Sequence, residues 1–300
     1  MKEAIKNYIA SGRYVTPKKL FKAFFTVRTI LLLLWTVLTI YVMNIFNAFA
    51  YSRMPTREAL PDIIANGCKN CAYLRGSKTY MSLQPADMLS VVLTVSSILV
   101  TILRWDIINV PKLAYVYNVS LIVRILFFTV TGLPPACIGY PNCPCATIPY
   151  STISRSFSLP KIAFVYTFAL GLFLGNIPQC GDLAMSGHTI YLWVLALYII
   201  DALDQIFIGK ILVLIKSVIY FLLLFITTTI ILIRNHYTID ILFATVFVNM
   251  IWQLYSWMAT LVHINHYSFK QSLNGKIIEW LEQKADDDDS SYGYDSDALI

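Results

Sequence analysis

Charge is what this sequence has least of. Of 300 residues only 13% are Asp, Glu, Lys or Arg, whereas a soluble globular domain carries about 25%. That shortage, with 57% hydrophobic residues and a mean hydropathy of +0.64, excludes a soluble globular protein and a disordered chain. The net charge of +6 does not indicate nucleic acid, because the basic residues form no single patch or basic helix. They sit mainly at the ends of apolar blocks, as expected beside anionic headgroups. No cleavable signal peptide is expected either. The first apolar block begins near Thr26, is too long for a signal core and lacks a small-residue cleavage site. There is no internal repeat.

What is present is a series of apolar blocks of bilayer-spanning length. They lie at roughly 27–50, 87–103, 113–133, 188–208, 210–233 and 241–262. The fold class expected is therefore all-α, a polytopic membrane protein of six spans. A seventh block at 161–177 is short, contains Gly171 and Gly175, and is ended by Asn176 and Pro178. Such a block reads as re-entrant or interfacial. The expected organisation is a basic N-terminal segment (1–26), a membrane domain (27–262) and a tail (263–300) with a disordered acidic end. The first 28 residues hold Lys2, Lys6, Arg13, Lys18, Lys19, Lys22 and Arg28 against Glu3, which places the N-terminus in the cytosol. With six spans both termini are cytosolic.

All six cysteines, Cys68, Cys71, Cys137, Cys143, Cys145 and Cys180, then fall outside the cytosol, where disulfides persist. They allow up to three bonds of undetermined pairing. Zinc binding through Cys68/Cys71 and Cys143/Cys145, or unpaired small residues, are the other readings.

Polar residues at a membrane core carry function by default. Two clusters stand out: Cys180-Gly-Asp182-Leu-Ala-Met-Ser186-Gly187-His188-Thr189 and His236-Tyr-Thr-Ile-Asp240. A two-span hairpin separates them, so both face the same side whatever the absolute topology. His236 and Asp240 are four apart and share a helix face. A carboxylate there can fix the imidazole tautomer and raise its basicity. Gly187 allows close backbone approach, and the helix start behind Ser186-Gly187 offers free N–H groups to a phosphate. Two histidines beside such an end suggest metal-free phosphoryl chemistry, one as nucleophile and one as acid/base. A bland role at the headgroup level is the alternative. No carboxylate cluster for magnesium is evident, and no metal or other cofactor is expected.

These clusters resemble the third and fourth signature motifs of the sphingomyelin synthase family, which is related to the lipid phosphate phosphatases. Ala59-Leu60-Pro61-Asp62 resembles the first motif without its leading prolines. The run from Arg124 to Leu133-Pro134 resembles the second. The family's upstream paired arginine is absent, and Lys112 is the nearest basic residue. The resemblance covers about 60–245. It implies six spans, a lumenal or exoplasmic active site and a non-crossing 161–177 block, in the Golgi or plasma membrane.

It also implies roles. His236 is the nucleophile toward a phospholipid donor, Asp240 orients it, and His188 acts as acid and then base toward ceramide, the acceptor. The product is a phosphosphingolipid plus diacylglycerol. Phosphocholine is the expected headgroup, with ethanolamine or inositol donors as variants. A lipid phosphatase or phospholipase C is the second enzyme class. A transporter or ceramide sensor is the non-enzyme reading. Asp182 is expected to orient His188, to bind a cationic headgroup, or merely to form a turn. Arg124, near the middle of its block, is expected to bind phosphate or to pair with Asp62, Asp182 or Asp240. Ser186 and Gly187 complete the expected substrate-binding set. His263, His266 and Asp286–Asp289 are given no role in the chemistry. Self-association is left open, since lipid can cover the apolar surface.

Overall fold

The computed structural model describes residues 27–53, 59–67, 85–104, 109–137, 143, 184–204, 207 and 209–282. Among these the protein is helical, without strands. The helices are α1 (Val27–Ser52), α2 (Ile63–Gly67), α3 (Pro85–Arg104), α4 (Asn109–Val130), α5 (Gly187–Asp204), α6 (Lys210–Leu232), α7 (Thr238–His263), α8 (Tyr267–Gln271) and α9 (Leu273–Glu282). Among the described residues, five helices (α1, α4, α5, α6 and α7) are long and apolar enough to cross a membrane. The 20-residue α3 packs with them against α5 and α6. The N-terminal segment 1–26, the 161–177 block, Cys68, Cys71, Cys145, Cys180, Asp182 and Asp286–Asp289 lie outside the described residues.

The long helices follow the apolar blocks, and local chemistry sets their ends. Helix α4 starts at Asn109, four residues before its apolar block, because Pro111 is tolerated in a first turn. It stops before Thr131-Gly132-Leu133-Pro134-Pro135. Helix α6 ends in a Schellman turn. Arg234 N–H donates to the Ile231 carbonyl (2.9 Å), Asn235 N–H to that of Ile230 (3.1 Å), and Arg234 has φ 56°. Helix α7 ends the same way at Asn265, φ 59°.

The packing is turned outward, as a bilayer requires. Helix α5 is central, touching α3, α4, α6 and α7, and Ile190, Leu192 and Ala196 on it are wholly buried. By contrast α1, α3 and α6 expose Leu34, Val95, Phe221 and Leu224. An apolar exterior of this extent is untenable in water and matches lipid tails. The protein is thus a multi-pass membrane protein. Lipid offers no hydrophobic drive between helices, so hydroxyls and amides join them. Thr94 and Thr101 on α3 bond the hydroxyls of Tyr191 (2.5 Å) and Tyr198 (2.6 Å) on α5. Asn118 on α4 donates to Thr36 on α1 (2.9 Å). The paired seven-residue steps make α3 and α5 parallel.

The two ends of the bundle differ. At one end Lys112 meets Asp201 (2.5 Å) and lies 4.2 Å from the centre of the Trp252 ring. The same end carries α8 and α9, where Arg28 donates to the Leu281 carbonyl (3.1 Å) and Tyr255 to Glu282 (2.5 Å). A Cβ at Gly275 would collide with the Phe269 carbonyl oxygen, so α8 can fold back onto α9 only over a glycine. Lys112 therefore lies toward the opposite end of α4 from Arg124. The C-termini of α1, α4 and α6, the N-termini of α5 and α7, and α2 gather at the other end.

Candidate active site

The site forms where those ends converge. Helix α5 begins at a serine cap: Ser186 Oγ accepts from Thr189 N–H (3.3 Å) and the Ser186 carbonyl from Ile190 N–H (3.0 Å). The hydroxyl of Ser186 is thus used in structure and is fully buried. Helix α7 begins after Tyr237. Asp240, in its first turn, reaches back so that Oδ2 accepts from Tyr237 N–H (3.0 Å). This is one half of a capping box, and the carboxylate also favours the positive end of the helix dipole. The two helix starts are joined directly, because Ser186 N–H donates to the Asp240 carbonyl (3.3 Å). The clusters that the hairpin argument assigned to one side are in contact.

His236 is buried, with Nδ1 3.6 Å from Asp240 Oδ2. This approach is too long for a hydrogen bond, and among the described residues Nδ1 has no hydrogen-bond partner. Hydrogen bonds of this kind commonly tighten only with substrate in place. Burial pushes the His236 imidazolium below its ordinary value, and Asp240 offsets this only in part. The neutral, nucleophilic form is favoured. His188 is exposed at the first turn of α5, and its ring centre lies 6.3 Å from that of His236, the planes 64° apart. The gap is on the scale of a phosphoryl group held between two imidazoles.

Arg124 comes up beneath this gap. It lies two turns from the site end of α4, nearer the end than the apolar block implied, because α4 stops at Val130. It is buried, donates from Nε to the Met185 carbonyl (2.8 Å), contacts Met43 Sδ (2.7 Å) and lies 5.7 Å from the centre of the Phe128 ring. Met185 has φ 131°, an uncommon conformation for a side-chain-bearing residue. Its carbonyl is thereby turned to the guanidinium. A Cβ at Gly187 would stand 2.8 Å from Arg124 Cζ and 2.9 Å from both terminal nitrogens. Only glycine lets the guanidinium lie against the start of α5.

Of the sequence-predicted residues the structure brings together His188, His236, Asp240, Gly187, Ser186 and Arg124. Asp182 falls outside the described residues. Cys137 and Cys143 form a disulfide just beyond the α4 exit, Cα–Cα 5.3 Å, which removes Cys143 from any zinc reading. Asp62 lies at the site, where both its oxygens accept from Thr238. Sequence reasoning missed Tyr237, Thr238 and Met185. The first two lie between His236 and Asp240 and were open to notice; the backbone twist at Met185 left no signal.

Residues 179–257 match the PAP2 superfamily C-terminal family. The match spans both histidine clusters and the hairpin between them. It relates the chain to the lipid phosphate phosphatases and to phosphatase or phosphotransferase chemistry on lipids. No curated protein matches the chain.

Proposed function

We propose that the protein is a phosphosphingolipid synthase, moving phosphocholine from phosphatidylcholine to the primary hydroxyl of ceramide. The observation that carries this is the convergence of His236, His188 and the Arg124–Gly187 contact around one gap. The resemblance of four ordered motifs supplies the substrate class.

In the first half-reaction His236 Nε2 attacks phosphorus, since Nδ1 faces Asp240. The bond from phosphorus to the diacylglycerol oxygen breaks, and protonated His188 gives that oxygen its proton. The headgroup is then held as a phosphohistidine. In the second, neutral His188 takes the proton of the ceramide hydroxyl, and that oxygen displaces His236 from phosphorus. His188 ends protonated, as it began. Arg124 and the positive end of the α5 helix dipole stabilise the phosphoryl oxygens. Asp240 steadies the imidazolium character that develops on His236. Water in place of ceramide would give phospholipase C activity. The site faces the lumen or the cell exterior, and both termini face the cytosol.

The test is transfer in defined liposomes. Purified protein receives fluorescent ceramide with phosphatidylcholine, phosphatidylethanolamine or phosphatidylinositol as sole donor, beside a His236→Ala control. Product from phosphatidylcholine, absent in the control, is expected. Product from another donor alone would reassign the headgroup. Release of headgroup without transfer would make the enzyme a hydrolase.

A further inference from the structure

One segment of the site end takes no part in the chemistry above, yet it grips the nucleophile's loop. Residues 60–66 lie against residues 234–238 through three separate side chains. Asp62 Oδ2 accepts from Thr238 N–H (2.6 Å) and Oδ1 from Thr238 Oγ1 (2.7 Å). Tyr237 Oη donates to the Pro134 carbonyl (2.9 Å) and accepts from Leu60 N–H (3.0 Å). Arg234 donates to the Ala65 carbonyl (3.1 Å) and to Asn66 Oδ1 (2.9 Å). His236 sits in the middle of the gripped stretch.

We infer that Asp62 is a positioning residue for the transfer reaction, fixing Thr238 so that His236 and Asp240 face each other across the first turn of α7. The inference rests on the reading of His236 as nucleophile. Asp62 is suited to it because it is itself immobile. It is buried, and Oδ1 also accepts from Ile64 N–H (3.1 Å) and Ala65 N–H (3.0 Å), capping α2. Four donors converge on one carboxylate, and with two acceptor oxygens it can serve them all. Burial alone would push the carboxyl up; the bonds from Thr238, Ala65 and Ile64 outweigh it and hold the group below the ordinary carboxylate range. The grip falls on Thr238, midway between the nucleophile and its orienting acid. A displacement there moves both groups at once.

The nearest neutral replacement is informative. Asp62→Asn keeps the volume but turns an N–H₂ group toward backbone N–H donors whichever way the amide lies, so at least one bond becomes a donor–donor conflict. The expected result is a kcat lower by roughly 10–100-fold, the loss typical of a misplacement near 1 Å, with donor KM within about twofold. Thr238→Ser keeps both donors to Asp62 and should transfer as wild type. Thr238→Val keeps only the N–H and should fall between. Thermal unfolding in detergent is measured on each variant, so activity is expressed per folded protein. Asp62→Asn at wild-type kcat, or a loss that disappears on that correction, overturns the inference. A Thr238→Ser variant as impaired as Thr238→Val does so too. The underlying reading fails separately: if His236→Ala still transfers, the nucleophile is misassigned whatever Asp62 does.

Discussion

Gly187→Ala is the sharpest test of how the phosphate end of the site is built. The added methyl would stand 2.8–2.9 Å from three guanidinium atoms of Arg124. Ordinary carbon contacts begin near 3.5 Å, so the guanidinium must retreat by roughly 0.7 Å. A long side chain often yields at no cost. This one is 2% exposed and tied through Nε to the Met185 carbonyl, so it has little room. A misplacement of that size at a substrate-positioning group can cost about 10²-fold in rate, or about 2.7 kcal/mol of transition-state stabilisation. Fold stability should move the other way or stand still. Alanine exceeds glycine in helix propensity by about 1 kcal/mol, which offsets the local strain. The assay is initial transfer rate in phosphatidylcholine–ceramide liposomes beside thermal unfolding of the same preparation. A roughly 100-fold loss of kcat with little change in unfolding is expected. Gly187→Ala at wild-type rate would refute the placement of Arg124 against the reacting phosphate.

Other outcomes follow from the same geometry. Because burial holds His236 below the ordinary imidazole value of 6.5, the acid limb of kcat/KM should have its midpoint below 6.5. The sign is that of a depressed group: neutral His236 contributes stability above 6.5, and this is lost as pH falls through the folded value. A limb centred above 6.5 would contradict it. Tyr198→Phe removes one rung between α3 and α5 and should lower stability by about 0.6 kcal/mol, the average for interhelical bonds in membranes; titration into a denaturing detergent reads it. Cys137→Ala breaks the disulfide to Cys143, at a sequence separation of 6. A loss of about 2 kcal/mol is expected, seen as a lower unfolding temperature that reductant reproduces in the wild type.

The long helices were legible because a bilayer demands runs of about 20 apolar residues, and little else in a protein mimics them. The shared sidedness of His188 and His236 was legible from parity, which needs no distances. Boundaries were less so. The extension of α4 back to Asn109 depended on Pro111 being in the first turn, a choice the hydropathy pattern does not make. The two helices after Ile264 carry a weak signal. Ile278 and Leu281 are buried against the bundle, but a ten-residue amphipathic stretch is too short to stand out beside the long apolar blocks. The clamp on His236 was hidden for another reason. Asp62 and Thr238 lie 176 residues apart, and a single chain gives no sign of such a pairing. Arg124 was visible as a costly buried charge, whereas its seat on Gly187 and Met185 depended on backbone geometry.

The mechanism turns on a covalent intermediate on His236, and trapping it is the most direct measurement. Protein in liposomes would receive phosphatidylcholine labelled at its headgroup phosphate, with no ceramide. Denaturation in alkali, where phosphohistidine survives, would follow, then peptide mapping. Label is expected on the His236 peptide, lost on acid treatment, absent in His236→Ala and discharged to product when ceramide is added. Transfer that proceeds at full rate with no label on the wild-type chain, or label that persists in His236→Ala, would contradict it.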